Sequence, residues 1–140
     1  IIMINKLLEI LQEAVPSYEV SFEESRMMNV AVDTIERYKG FAYIEEYRQG
    51  YYSFRGYKKT KTTRIQIYFC KFVDFQDNAI NRELIREKIE EEAVLPFITM
   101  MNENDNFKQI ERFDIGSPLP RFDANEVSIK LEFDLTWAIC

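Results

Sequence analysis

The sequence predicts a single α+β domain over residues 1–140, with an antiparallel sheet of four to five strands. An N-terminal helix and one long central helix are expected to pack on this sheet. Three observations predict this class. Apolar residues recur at helical spacing in two segments, and they alternate with polar residues in two others. The composition is 46% hydrophobic and 14% aromatic, which is enough to build a core.

The first helix is predicted over residues 3–15, where apolar side chains fall on one face and Pro16 ends the helix. The central helix is predicted to begin at a cap formed by Asp77 or Asn78. Proline lacks the N–H that a helix needs, so Pro96 is expected to kink or break it. The predicted buried stripe of this helix consists of Ile80, Leu84, Ile85, Ile89, Ala93, Phe97 and Met101.

Two-residue alternation predicts the strands. It is clearest in residues 62–72 and 127–135, and it is shorter in residues 18–22. The region 41–54 is rich in strand-forming residues and is expected to pair antiparallel with 62–72, across a loop at 55–61. A further strand is predicted at 107–115. Residues 24–39 fit both periodicities and are interpreted as an irregular connection.

The composition argues against an enzyme. The chain has no histidine, the commonest general base and a principal metal ligand. Its carboxylates cluster as consecutive residues, which point in different directions on a helix or strand. Glycine-rich phosphate loops and paired metal-binding cysteines are absent from the sequence. We therefore predict no catalytic residues, no cofactor and no metal ion.

One region departs from the net charge of −6. Arg55, Lys58, Lys59, Lys61 and Arg64 are interleaved with four aromatic residues, Tyr51, Tyr52, Phe54 and Tyr57. Such a mixture binds single-stranded nucleic acid in some proteins, although an acidic chain repels phosphates. A solvated hairpin tip is the simplest interpretation. A third is an arm that docks on the acidic surface of a neighbouring subunit, including the helix face at 83–92.

From residue 41 onward, the layout resembles the phage tail terminator, or tail completion, family. The resemblance lies in the aromatic-rich strand pair Phe41-Ala42-Tyr43-Ile44 and Arg64-Ile65-Gln66-Ile67-Tyr68-Phe69, joined by a long hairpin. A helix with an internal proline follows, Glu83-Leu84-Ile85 to Val94-Leu95-Pro96-Phe97. A Phe113-Asp114 step and a closing strand over 127–137 complete it. The resemblance is one of layout, because the family has no catalytic signature, and residues 25–39 do not fit its pattern.

The resemblance implies a structural role. Such proteins are flat α+β subunits that form a hexameric ring on the end of the tail tube and meet the head connector. It implies a homo-oligomer, with tail-tube and head-connector proteins as partners, no membrane, and DNA at most passing through a lumen. The protein would be cytoplasmic during assembly and part of the virion tail afterwards. Arg55, Lys58, Lys59, Lys61, Arg64 and Trp137 are the candidate subunit or partner contacts.

Two alternatives remain open at the level of sequence. One is another head–tail adaptor or neck protein with a similar layout. The other is a non-enzymatic small-molecule binding module. Its ligand would lie on a sheet face lined by Tyr43, Tyr47, Tyr51, Tyr68 and Trp137.

Overall fold

The computed structural model describes residues 3–22, 40–45, 49–72, 79–117 and 126–139. It confirms the α+β class, with an N-terminal helix and a long central helical segment on one sheet. The strands are β1 Glu19–Phe22, β2 Phe41–Ile44, β3 Gly50–Arg55, β4 Lys58–Phe72, β5 Asp114–Gly116 and β6 Glu126–Ala138. The helices are α1 Met3–Ala14, α2 Ala79–Ile89 and α3 Leu95–Asn102, with a π-helical turn, Glu90–Val94, between the last two.

The sheet has six strands in the order β1-β2-β4-β6-β5, and β3 also pairs with β4. The sheet has more strands than the predicted four to five because region 41–54 supplies two strands to one edge of β4. There, β3 pairs with residues 58–63 of β4, and β2 pairs with residues 67–70. The β1–β2 pair is parallel, whereas the other pairs are antiparallel. A parallel pair needs a long crossover, and the chain between Phe22 and Phe41 is long enough to supply one.

The long pair β4–β6 organises both faces of the sheet. Ile65, Ile67 and Phe69 of β4 face the helices, and their partners on β6 are Phe133, Leu131 and Ile129. All six are buried in one apolar cluster with Leu7, Ile10 and Leu11 of α1. The predicted first helix is confirmed, because α1 ends just before Pro16. The side chains that alternate with these along β4, such as Arg64 and Tyr68, lie on the face away from the helices.

The central helical segment continues through Pro96 instead of breaking there. The N–H of Leu95 donates to the carbonyl of Glu90, five residues back, as in a π-helix. Pro96 lies in the first turn of α3, where a missing N–H is tolerated. Ile89, Ala93, Phe97 and Met101 are buried as predicted. In an α-helix, side chains four residues apart are displaced around the axis by about 40°, because a turn has 3.6 residues. The wider π turn has more residues per turn, so it offsets part of this rotation and keeps the four side chains on one side.

The first part of the predicted buried stripe is wrong. Ile80 is 72% exposed and Leu84 is 57% exposed, while Ile85 is half-buried. At about 100° per residue, Ile80 lies roughly opposite Ile89 on the helix, so both cannot face the core. The cap predicted at Asp77 or Asn78 and the connection predicted at 24–39 lie outside the described residues.

Two further predictions are corrected. The strand expected at 107–115 is regular only at β5, because residues 107–113 are held by buried Phe107 and Ile110 and not by a ladder. The loop expected at 55–61 is a turn at Gly56 and Tyr57 only. Gly56 has φ +60°, which suits a two-residue hairpin turn and which other residues rarely adopt.

Candidate functional site

The β3–β4 hairpin is the most exposed apolar feature of the described chain. Its two strands stay in register from Gly50 opposite Thr63 to Arg55 opposite Lys58. Four aromatic side chains are largely exposed along it, namely Tyr51, Tyr52, Phe54 and Tyr57. Exposed apolar side chains that occur singly are ordinary, but several on one hairpin, among charged residues, are typical of an interaction surface.

The outer edge of the hairpin is also available for pairing. Within the described residues, β3 pairs with no strand other than β4. A free strand edge presents unpaired N–H and C=O groups that favour contact with another chain. The hairpin therefore combines exposed aromatic rings with a strand edge that needs to be covered.

Strand alternation divides the hairpin into two faces. Tyr52 and Phe54 lie on the same side of the sheet as the helices, opposite Lys61 and Lys59 of β4. We call this set the helix-side face of the hairpin. Tyr51, Arg55 and Lys58 lie on the other side. The predicted basic group is therefore brought to one hairpin but is split between its two faces.

Lys61 and Trp137 are brought together, as neighbours in the β4–β6 register. The Lys61 ammonium lies 5.6 Å from the ring centroid of Tyr52 and 5.7 Å from that of Trp137. These distances are within the range of cation–π attraction. Trp137 itself is half-buried and packs against the core. Both residues therefore support the base of the hairpin as well as lying beside its exposed face.

Arg64 does not belong to the basic surface of the hairpin tip. It lies on the face away from the helices, where its Nη2 is 2.8 Å from Asp114 Oδ2 and 3.1 Å from Glu132 Oε2. Its Nη1 is 3.4 Å from Asp134 Oδ1. Arg64 thus links three carboxylates of β5 and β6 to β4. Its charge is neutralised within the chain, which leaves little for a partner.

Neighbouring basic side chains lower the pKa values of two carboxylates in this network. Hydrogen bonds from Arg64 and then Arg112 hold the pKa of Asp114 below its usual value of 3.8. The pKa of Glu132 is held below its usual 4.5, first by the hydrogen bond from Lys130 and then by that from Arg64. Partial exposure of both side chains places the network in screened surroundings.

Replacing Arg64 with methionine should lower stability at pH 7, and this loss should shrink in acid. A carboxylate with a depressed folded-state pKa adds stability above its unfolded pKa, and that stability disappears as the pH falls through the folded value. Urea unfolding of the wild type and of Arg64→Met, at pH 7 and near pH 3, measures the loss of stability at each pH. Arg55→Met, at the exposed hairpin, is the matched control and should show no difference. A gap of equal size at both pH values would contradict the network's role.

The aromatic residues proposed to line a ligand pocket do not share one face. Tyr43 and Tyr68 are buried and stacked, with ring centroids 4.9 Å apart, on the face away from the helices. Trp137 lies on the helix side, and Tyr47 is outside the described residues. Tyr51 borders an open groove of about 620 Å³ whose other lining side chains are mostly polar. The described residues therefore form no aromatic pocket.

A second exposed surface, on α2, was not predicted from the sequence. Ile80 and Leu84 point outward, and Glu83 and Glu87 are exposed beside them. We call these four residues the α2 outward stripe. The angular positions of Ile80 and Leu84, opposite Ile89, are the sequence signal that would have revealed it.

The described residues contain no group of three or more Cys, Asp or Glu side chains placed to hold a metal ion. In that same part of the chain, no helix has the length and apolar character needed to cross a bilayer. Neither a scan against protein-family models nor a search of curated proteins found a match. The two exposed surfaces are therefore the features of the described chain that bear on its function.

Proposed function

We propose that this chain is a structural virion assembly protein of the tail-terminator kind. It would form a ring that caps the tail tube and joins it to the head connector. The observation that carries the proposal is the β3–β4 hairpin, with its exposed aromatic rings, its basic residues and a strand edge that no other described strand covers. A surface of this composition is suited to docking on another protein subunit.

A ring follows from one contact repeated between identical copies. The hairpin projects from one end of the sheet, whereas the α2 outward stripe lies on the helical layer. A contact between two different surfaces is heterologous, and it closes into a ring when the rotation per subunit divides a full turn. The same contact would otherwise produce a filament, so closure is the property that distinguishes a terminator.

The remaining parts of the proposal follow from this role. The protein acts without catalysis, is cytoplasmic during assembly and belongs to the virion tail in the mature particle. Its partners are copies of itself, the tail tube and the head connector. Lysines at the hairpin that do not meet a neighbour would face the lumen, where passing DNA carries the opposite charge.

Light scattering on a size-exclusion column tests the ring, across a concentration series and with negative-stain imaging of the heaviest species. Closed rings with a fixed subunit number are the expected result. A strict monomer at every concentration, or open filaments of variable length, would contradict a ring-forming protein. The imaging is needed because mass alone does not distinguish a ring from a short filament.

Replacing Lys58 and Lys59 with glutamate should impair ring formation if the hairpin is the intersubunit arm. Both side chains are exposed, so the fold should be retained. Lys61 is left unchanged because it packs between two rings. The control is Lys6→Glu with Lys108→Glu, which changes the net charge equally and leaves the basic residues of the hairpin in place. Unchanged assembly of the hairpin variant, measured by light scattering, would exclude the arm but not the ring.

A further inference from the structure

We propose that the helix-side face of the hairpin docks on the α2 outward stripe of a second copy of this chain. This inference rests on the proposed ring and names the two surfaces that meet in it. Both surfaces are exposed within one chain, so they do not cover each other. Each also carries large apolar side chains that burial in an interface would remove from water.

The apolar parts of the two surfaces have matching spacing. The rings of Tyr52 and Phe54 have centroids 6.4 Å apart on the hairpin. Ile80 and Leu84 are one helical turn apart, which is about 6 Å along the axis. Two neighbouring aromatic rings therefore meet two neighbouring aliphatic side chains. This is the arrangement in which an apolar helix face is recognised by an apolar partner.

The charges of the two surfaces are complementary. Lys59 lies opposite Phe54 on the hairpin, and Glu87 lies on the outward side of α2 with Leu84. Arg82 Nη1 donates to the carbonyl of Glu126 on β6, and Arg86 donates both to Ser117 Oγ and to the carboxylate of Glu83. Glu83 is therefore paired within its own helix, and the exposed Lys88 is paired with Glu92. Glu87 is the carboxylate of the α2 outward stripe that the contact would set against Lys59.

This complementarity favours a second copy over an unrelated partner, because one chain supplies both halves of the contact. Each copy offers a basic aromatic hairpin and a helix that presents Glu87 beside exposed apolar side chains, so every subunit can dock on the next and be docked upon. Opposite charges would steer the encounter and fix its register. The apolar side chains would supply most of the binding free energy.

Charge reversal tests the contact through mixing. Lys59→Glu alone should place like charges together, as should Glu87→Lys alone, and each should weaken self-association roughly tenfold. Mixed in equal amounts, the two variants should assemble again. In an alternating assembly, every contact between them pairs opposite charges. Sedimentation velocity measures the association, and Glu13→Lys on the exposed side of α1 is the control for Glu87→Lys.

The apolar half of the contact has its own test. Phe54→Ser and Leu84→Ser should each weaken association on the order of tenfold or more, since each removes a large side chain from the interface. Leu95→Ser is the matched control, because Leu95 is 55% exposed and lies on α3, in neither of the two surfaces. Circular dichroism of each variant shows that the fold is retained.

The outcomes separate this inference from the ring. Single variants that form rings as well as the wild type would overturn the docking inference and leave the ring intact. If the single variants associate weakly and their mixture assembles into open chains but not rings, the docking would be supported and the ring contradicted. Weakened variants that show no gain on mixing would overturn the docking, as would a wild-type chain that never self-associates.

Discussion

Replacing Phe97 with alanine should lower the free energy of unfolding by about 3–5 kcal/mol, the usual loss for a buried phenylalanine. Phe97 is fully buried on α3, with its ring centroid 6.2 Å from Phe69 of β4 and 6.1 Å from Phe133 of β6. It therefore joins the helical layer to both central strands. Truncation would leave a cavity that the rigid β4–β6 pair cannot close.

Urea unfolding followed by circular dichroism measures this loss. Leu95→Ala is the control, because Leu95 lies in the same helix but is 55% exposed. That variant should lose less than about 1 kcal/mol. A loss of similar size for both variants would contradict the role assigned to the contact of Phe97 with the sheet.

Replacing Gly40 with alanine should have the second largest effect on stability. A Cβ built at Gly40 would lie 2.5 Å from Cε1 and Cζ of Tyr18, well inside van der Waals contact. The Tyr18 ring is itself buried, and the ammonium of Lys71 lies 5.6 Å from its centroid. The ring has little room to move, so overpacking should lower the free energy of unfolding by about 1–3 kcal/mol.

A double-mutant cycle with Tyr18→Ser identifies the cause of that loss. With the ring removed, Gly40→Ala should have little effect, so the two substitutions should be strongly non-additive. Equal losses in both backgrounds would point to the backbone at Gly40 and away from the ring. Thermal unfolding of the four proteins provides the measurement.

Sequence periodicity predicted the elements whose burial is one-sided. The helical spacing in α1 and the alternation in β6 from Lys130 onward reflect faces that the core covers, so the pattern and the structure agree there. The β5 region was overestimated, because Phe107 and Ile110 are buried without being part of a ladder. Apolar residues indicate burial, but they do not indicate which backbone hydrogen bonds accompany it.

The candidate contacts were only partly predictable for a related reason. The basic residues of the run marked the exposed hairpin, since lysine and arginine are rarely buried, whereas its aromatic residues carried no such signal. The network around Arg64 was not visible, because Asp114, Glu132 and Asp134 reach it from strands that are distant in sequence. The exposure of Ile80 and Leu84 was missed because apolar residues were assumed to be buried.

The register of β4 with β6 has a consequence for synthesis of the chain. Thr60 pairs with Ala138 and Phe72 with Glu126, so β4 gains its full-length neighbour only after every other described element has been made. Until β6 leaves the ribosome, Ile65, Ile67 and Phe69 lack the strand that completes their layer. Such late pairing between distant segments slows folding and prolongs the exposure of unpaired strand edges, which are prone to aggregation. In the nascent chain, the apolar face of β4 therefore stays incomplete until residue 138 has been made.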